Sequence, residues 1–178
     1  VDGQASLNPQ RRFGADVLTR LSAASELDEN AALLTCLVRS AIEDVVKIFS
    51  EQYSLLPDQI SRLYVVGNSA MLTLLAGKNY NQLLLPEQWE SAIASDLADE
   101  DEWRQHLRLG ADATIKAVAP LAGFVGSDLL AGIIATELCK SKQPSLLIDF
   151  GTNSEIALWD GGKLWVTSVP GGPAFEGS

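Results

Sequence analysis

The stretch Leu146-Leu147-Ile148-Asp149-Phe150-Gly151-Thr152-Asn153-Ser154-Glu155 governs how the rest of the chain is read. A short apolar run ends in a carboxylate, turns through glycine, threonine and asparagine, and resumes as a second strand from Glu155 to Trp159. Asp160-Gly161-Gly162 then has the Asp-Gly signature of a hairpin, and Leu164 to Val169 gives a third strand. Short turns between consecutive strands predict an antiparallel meander. Its first hairpin carries Asp149 to the sheet edge, where a carboxylate can hold a magnesium ion directly or through waters. Gly151 allows a tight turn with an unshielded amide, and Thr152 and Asn153 add a hydroxyl, an amide and further N–H groups. Such a concavity accepts phosphate oxygens. The same residues also suit an ordinary polar β-turn.

Upstream, helices and strands alternate. Val17, Leu18 and Leu21 share one side of a short helix over 14–21. A stronger one, capped by Asp28 or Asn30, follows. There Leu33, Leu34, Leu37, Val38, Ala41, Ile42, Val45, Val46 and Phe49 form a single apolar stripe, with Arg39, Glu43 and Lys47 opposite it. Leu63-Tyr64-Val65-Val66 predicts a buried strand, Gly67-Asn68-Ser69 a turn, and 70–76 a helix ended by Gly77. That order is half of a βα unit, and ligands of open α/β sheets gather at such strand ends. Pro86 predicts a helix start running through Trp89 and Ile93. Asp96 to Glu102 reads as a solvated acidic face, and His106 has no companion to suggest catalysis or metal binding. A strand over 113–118 leads through Gly123-Phe124-Val125-Gly126 to Ser127, the expected N-cap of a helix over 128–139, in which Gly132 implies close approach to another element. The polar connector Lys140 to Pro144 marks a boundary, dividing the chain into residues 1–143 and 144–178.

Composition narrows the function classes. Hydrophobic residues make up 47% and charged residues 20% of 178, enough for a packed core. Thirteen basic against 23 acidic residues leave a net charge of −10, with a pI near 4.4, which argues against a nucleic-acid binder. No apolar run is long enough for a membrane span, and no secretory signal pattern is present. Cys36 and Cys139 are too few for an iron–sulfur cluster and too far apart for a disulfide framework. A soluble cytoplasmic protein is expected. Val1 in place of methionine, and an end inside Gly171-Gly172-Pro173-Ala174-Phe175-Glu176-Gly177-Ser178, suggest a piece of a longer protein.

Asp-x-Gly-Thr on the first hairpin of a meander resembles the phosphate motif of the superfamily that contains actin, sugar kinases and heat-shock chaperone ATPases. More narrowly, five blocks in order resemble the actin-like domain of reductive activators of corrinoid proteins. They are Asn8-Pro9-Gln10 with Phe13-Gly14-Ala15-Asp16-Val17 and Arg20; Gly67-Asn68-Ser69-Ala70-Met71; Gly123 to Asp128; Asp149 to Glu155; and Gly172 to Gly177. The resemblance implies an α/β, RNase H-like (actin-like ATPase) fold. Residues 1–143 would be the latter part of a first lobe and 144–178 the opening meander of a second. It implies ATP-dependent return of a cob(II)amide centre to cob(I)amide on a partner corrinoid methyltransferase protein. ATP and Mg2+ would be the cofactors, with a [2Fe–2S] cluster in a ferredoxin-like domain outside this chain. Asp149 would face the metal, with Glu155 as the second catalytic carboxylate orienting the turn or a water. Gly151, Thr152 and Asn153 would cradle phosphate. Gly123, Gly126 and Asp128 would border the cleft, with Gly67 and Asn68 near it and Gly171 and Gly172 reaching the nucleotide's other side. Asn8-Pro9-Gln10 and Arg20 are either structural or partner-facing.

Phe150 and Ser154 replace the family's usual Ile or Leu and Gly or Ala, and Pro170-Gly171 stands where small alanines are usual. The resemblance also places a twin Asp-x-Gly-Thr hairpin ahead of residue 1, so these residues alone are expected neither to transfer electrons nor to bind ATP tightly. Whether the protein dimerises stays open. Two further readings remain: a small-molecule kinase of the same superfamily, which needs a catalytic aspartate to accept a hydroxyl proton, and a non-catalytic interaction domain whose hairpin is only a polar turn.

Overall fold

A computed structural model describes residues 3–91, 93–94, 96–97, 99–151 and 153–170. Asn8 opens a 3-10 turn, Pro9–Phe13, its Oδ1 accepting from the Gln10 amide at 2.9 Å. Asp16 caps α1, Val17–Glu26, by accepting from the Thr19 amide and hydroxyl at 2.9 and 2.6 Å. These bonds hold its carboxyl below the usual range. The long predicted helix is α2, Asp28–Tyr53, but neither expected cap is at its N-cap position, which Leu27 occupies. Asp28 lies instead in the first turn, where a carboxylate meets the positive end of the helix dipole. Asn30 turns back to donate to the Ala23 carbonyl at 3.1 Å.

The stripe on α2 is fully buried only at its start. Leu34 joins Leu21, Ala24, Ala70, Leu74 and Leu83 in the first core. Val38 and Ile42 pack against a second core of Leu75, Trp103, Leu107, Ala113 and Ile115, while Val45, Val46 and Phe49 line an open apolar groove. β1, Arg62–Val65, and β2, Thr114–Ala117, pair in parallel with Leu63 opposite Ile115. The crossover that a parallel pair requires runs through α3, Ser69–Ala76, α4, Tyr80–Leu84, and α5, Glu100–Leu107.

The predicted helix from Pro86 through Ile93 does not form; Pro86–Gln88 is one 3-10 turn. Tertiary contacts take the chain elsewhere: Trp89 Nε1 donates to the Leu83 carbonyl at 2.9 Å, and its ring meets Phe124 edge-on at 5.1 Å. The acidic stretch starts α5. Asp99 accepts from the Asp101 and Glu102 amides, and the exposed carboxylates pair with Arg104 and Arg39.

The last helix, α6, Ser127–Ala135, is shorter than predicted and is capped by Gly126, not Ser127. Thr136 Oγ1 donates back to the Gly132 carbonyl at 2.8 Å, and Glu137 adopts a left-handed φ of 52°, which ends the helix. β3, Ser145–Phe150, β4, Asn153–Trp159, and β5, Leu164–Pro170, form the expected antiparallel meander in the order β3-β4-β5. Its second turn matches the Asp-Gly reading: Asp160 Oδ1 accepts from the Gly162 and Lys163 amides, and Gly161 has φ 102°. One face packs on α6, with Leu129, Ile133 and Leu138 against Leu147, Ala157, Trp159 and Leu164. A β-carbon on Gly132 would lie 3.2 Å from Leu147, which accounts for the glycine there. α6 shares its core with the strands that follow the polar connector at 140–144. Among the described residues no helix is long and apolar enough to cross a membrane.

Candidate functional site

Antiparallel register sets the site. Asp149 stands opposite Glu155, and Glu155 opposite Ser168, so all three project from the same face of the meander. That face also carries Leu147 and Ala157 against α6, which brings Asp128, in the first turn of α6, into electrostatic reach of both carboxylates. Asp149 is exposed, Asp128 half-buried, and Glu155 only 6% exposed. Burial pushes the Glu155 carboxyl up, and the charges of Asp128 and Asp149 push it further, against a hydrogen bond from the Ser168 hydroxyl at 3.3 Å. Burial likewise raises Asp128, offset by the Leu129 amide at 2.9 Å and reinforced by Asp149.

Three like charges gathered at a sheet edge suit a cation. Among the described residues, however, no group of three His, Cys, Asp or Glu side chains is placed to hold a metal ion. The predicted phosphate cradle fits less well. The Gly151 amide, expected to be unshielded, donates to the Asn153 carbonyl at 3.0 Å and is used up by the turn itself. Thr152, Gly171 and Gly172 lie outside the described residues. Asn153 is half-buried at the rim of a cleft of about 270 Å3 shared with Val17, Trp89, Phe124, Ser168 and Pro170.

The other predicted residues separate into two places. Gly67, Asn68, Gly126 and Asp128 come together. Asn68 caps α3 by accepting from the Met71 amide at 2.9 Å, and a β-carbon on Gly126 would fall 2.5 Å from Asn68 Cα and the Gly67 carbonyl. Gly123 instead packs on Trp89, donating to its carbonyl at 2.8 Å. Gln10 and Arg20 are buried, and Asn8 is half-buried. Gln10 is fully buried and donates to the Leu34 carbonyl at 2.9 Å. Arg20, 6% exposed, donates to the carbonyls of Gly14 and Ala15 at 3.2 and 2.8 Å, and shares the Met71 thioether with Asn8. Sequence reasoning missed Ser168 and the Trp89–Phe124 wall. The period-two register across Glu155 was a signal for the first, but nothing local announced the second.

Two family models match the chain in succession. The RACo middle region covers residues 1–141, and the C-terminal domain of RACo, the ASKHA domain, covers residues 143–178. Among curated proteins, the chain is similar to "Corrinoid activation enzyme RamQ" of Eubacterium limosum, at 31% identity over 179 residues, covering 100% of this chain and 29% of that protein. It is also similar to "[Co(II) methylated amine-specific corrinoid protein] reductase" of Methanosarcina barkeri, at 26% over 174 residues, covering 92% and 31%. A solved structure titled "Reductive activator for corrinoid,iron-sulfur protein" superposes with a TM-score of 0.83 at 26% identity, covering 97% of this chain and 27% of that one. The chain thus spans less than a third of the length of these relatives.

Proposed function

This chain belongs to the RACo family, and on that premise we propose that it forms part of the nucleotide- and partner-binding region of an ATP-dependent activator that returns a corrinoid protein from cob(II)amide to cob(I)amide. What carries the reading is continuity: both family matches run in order along the chain, and the named relatives act on or activate corrinoid proteins. The partner is a corrinoid methyltransferase protein, and the electron enters from a [2Fe–2S] domain outside these residues. In the finer architecture that we propose, residues 144–178 open an RNase H-like lobe and residues 1–143 close the one before it.

The proposed nucleotide contact rests on the carboxylates and not on the Gly151 amide, which the turn already uses. Asp149, Asp128 and Glu155 would hold a hydrated magnesium ion, and Asn153 offers a side-chain amide beside it. Glu155 is placed to orient the turn or a water from within the fold. A very low-potential reduction is uphill from ordinary donors, and bound ATP supplies free energy only in so far as one state of the complex binds it better than another. The protein's part is to make that difference, and a carboxylate cluster whose repulsion is relieved by Mg2+ is a physical source of it.

The test uses the full-length protein with its corrinoid partner, following the cob(II)amide-to-cob(I)amide spectral change. Wild type should reduce the cobalt only with MgATP, and Asp149→Ala should lose MgATP affinity by about tenfold or more, as expected when a charged ligand contact is removed. Reduction that proceeds equally without ATP would end this reading. A second reading, a non-catalytic interaction domain, is favoured by the engagement of Gly151 with Asn153. Unchanged nucleotide affinity in Asp149→Ala would select it.

A further inference from the structure

The cleft of about 270 Å3 at the end of the meander has two walls of different chemistry. On one side, the period-two alternation of β4 and β5 sets Asn153 and Pro170 on the same face as Glu155 and Ser168. On the other stand Val17 and Leu18 of α1 and the ring pair of Trp89 and Phe124. The indole is fixed from behind, its Nε1 donating to the Leu83 carbonyl at 2.9 Å, and Phe124 meets it edge-on. Trp89 nevertheless keeps 41% of its surface exposed, and Leu18 keeps 49%. Most polar groups that reach the cleft are already engaged. Asp16 spends both carboxylate oxygens on Thr19, the Trp89 N–H is taken by Leu83, and the Ser168 hydroxyl donates to the buried Glu155 carboxylate at 3.3 Å. The Asn153 carboxamide is left over: among the described residues it has no hydrogen-bond partner.

These features select a ligand. A phosphate calls for a cation, and no lysine or arginine lines the cleft. A sugar ring calls for hydrogen bonds along its whole rim, and one free carboxamide cannot supply them. A flat ring asks for carbon against its faces, which Trp89, Leu18 and Pro170 offer. A carboxamide presents a donor beside an acceptor. The edge that answers it has an acceptor beside a donor, as the ring nitrogen and amino group of adenine do. We propose that the cleft binds an amino-substituted heteroaromatic base, stacked on the Trp89 wall with its amino edge on Asn153. Where that base belongs to ATP, the assignment rests on the nucleotide reading above and adds to it the residues that choose the base. Where it belongs to a free nucleoside, it stands on the cleft alone.

Calorimetric titration of the full-length protein with adenosine, in the absence of phosphate and Mg2+, tests the cleft. Adenosine should bind. Purine riboside, which lacks the amino group, should bind wild type about fivefold or more weaker, the discrimination expected from half of a bidentate carboxamide contact. Trp89→Leu should weaken adenosine about tenfold, as the loss of one stacked base does. The same variant should bind magnesium tripolyphosphate within about twofold of wild type, well under the tenfold that 1.4 kcal/mol represents. Purine riboside as tight as adenosine, or adenosine unaffected by Trp89→Leu, overturns the base site. Competition between MgATP and adenosine assigns the base to the nucleotide, and simultaneous binding assigns it to a free nucleoside. If adenosine fails to bind while MgATP binds and Asp149→Ala loses it, the base site falls and the nucleotide reading stands. If adenosine binds with these dependences and MgATP does not bind, the nucleotide reading falls and the base site stands.

Discussion

The helical region and the meander treat their polar residues in opposite ways. Around α1 and α3, the side chains of Asn8, Arg20 and Asn68 and the Gln10 amide nitrogen bond within the fold, two of them sharing the Met71 thioether, while Asp16 caps α1 at the surface and Gln10 Oε1 alone lacks a partner. On the meander face, Glu155 has a long hydrogen bond from Ser168 and one from its own backbone amide, against two neighbouring carboxylates of its own sign. A buried polar group that is fully bonded contributes to stability, whereas a half-compensated charge costs it. Two blocks of equally conspicuous residues therefore differ: one is largely bonded within the fold, and the other gathers like charges at the meander.

The contrast can be broken most forcefully in the core that α6 shares with the strands. Leu129→Ala removes a fully buried side chain and should cost about 3 kcal/mol. Amide exchange should accelerate first in β3 and β4 and least in α1–α3. Equal acceleration everywhere would show that α6 belongs as much to the helices as to the meander. Next in size, Arg20→Met should cost about 2 kcal/mol through two carbonyls left without donors, read as a lower denaturant midpoint with MgATP affinity unaltered. A loss of nucleotide affinity larger than the loss of stability would move Arg20 into the site and erase the distinction.

The smallest effect sharpens it. Because the folded Glu155 carboxyl titrates above its unfolded range, its ionisation works against folding at neutral pH. That burden appears as pH rises from the ordinary glutamate range through the raised one, and vanishes below both. Glu155→Gln should therefore melt higher than wild type at pH 7.5, with the advantage shrinking as pH falls toward 4, near the ordinary carboxylate range. An advantage independent of pH would trace the effect to packing instead of charge.

Much of this was legible in one dimension. The β3–β4–β5 meander, the Asp160 turn, α2 and the β1–turn–α3 unit follow from periodicity and turn chemistry, because local spacing alone decides them. Asp149 was visible for the same reason: a carboxylate ending an apolar strand has few places to go. The Pro86 helix was misread because Trp89 is held by the Leu83 carbonyl and the Phe124 ring, partners that no local pattern announces. Ser127 had the composition of a cap but serves Gly67, sixty residues away in sequence.

What the order of residues determined by itself was the set of elements, the acidic character and the family-like blocks, since each depends on neighbours a few positions apart. Only the folded molecule decided that α6 packs with the strands after it, that Gly151 spends its amide within its own turn, and that Asp128 comes within electrostatic reach of Asp149 and Glu155. Burial, register and the meeting of charges are properties of distance in space. Chain position cannot convey them, which is why residues that looked alike in the sequence have different roles in the fold.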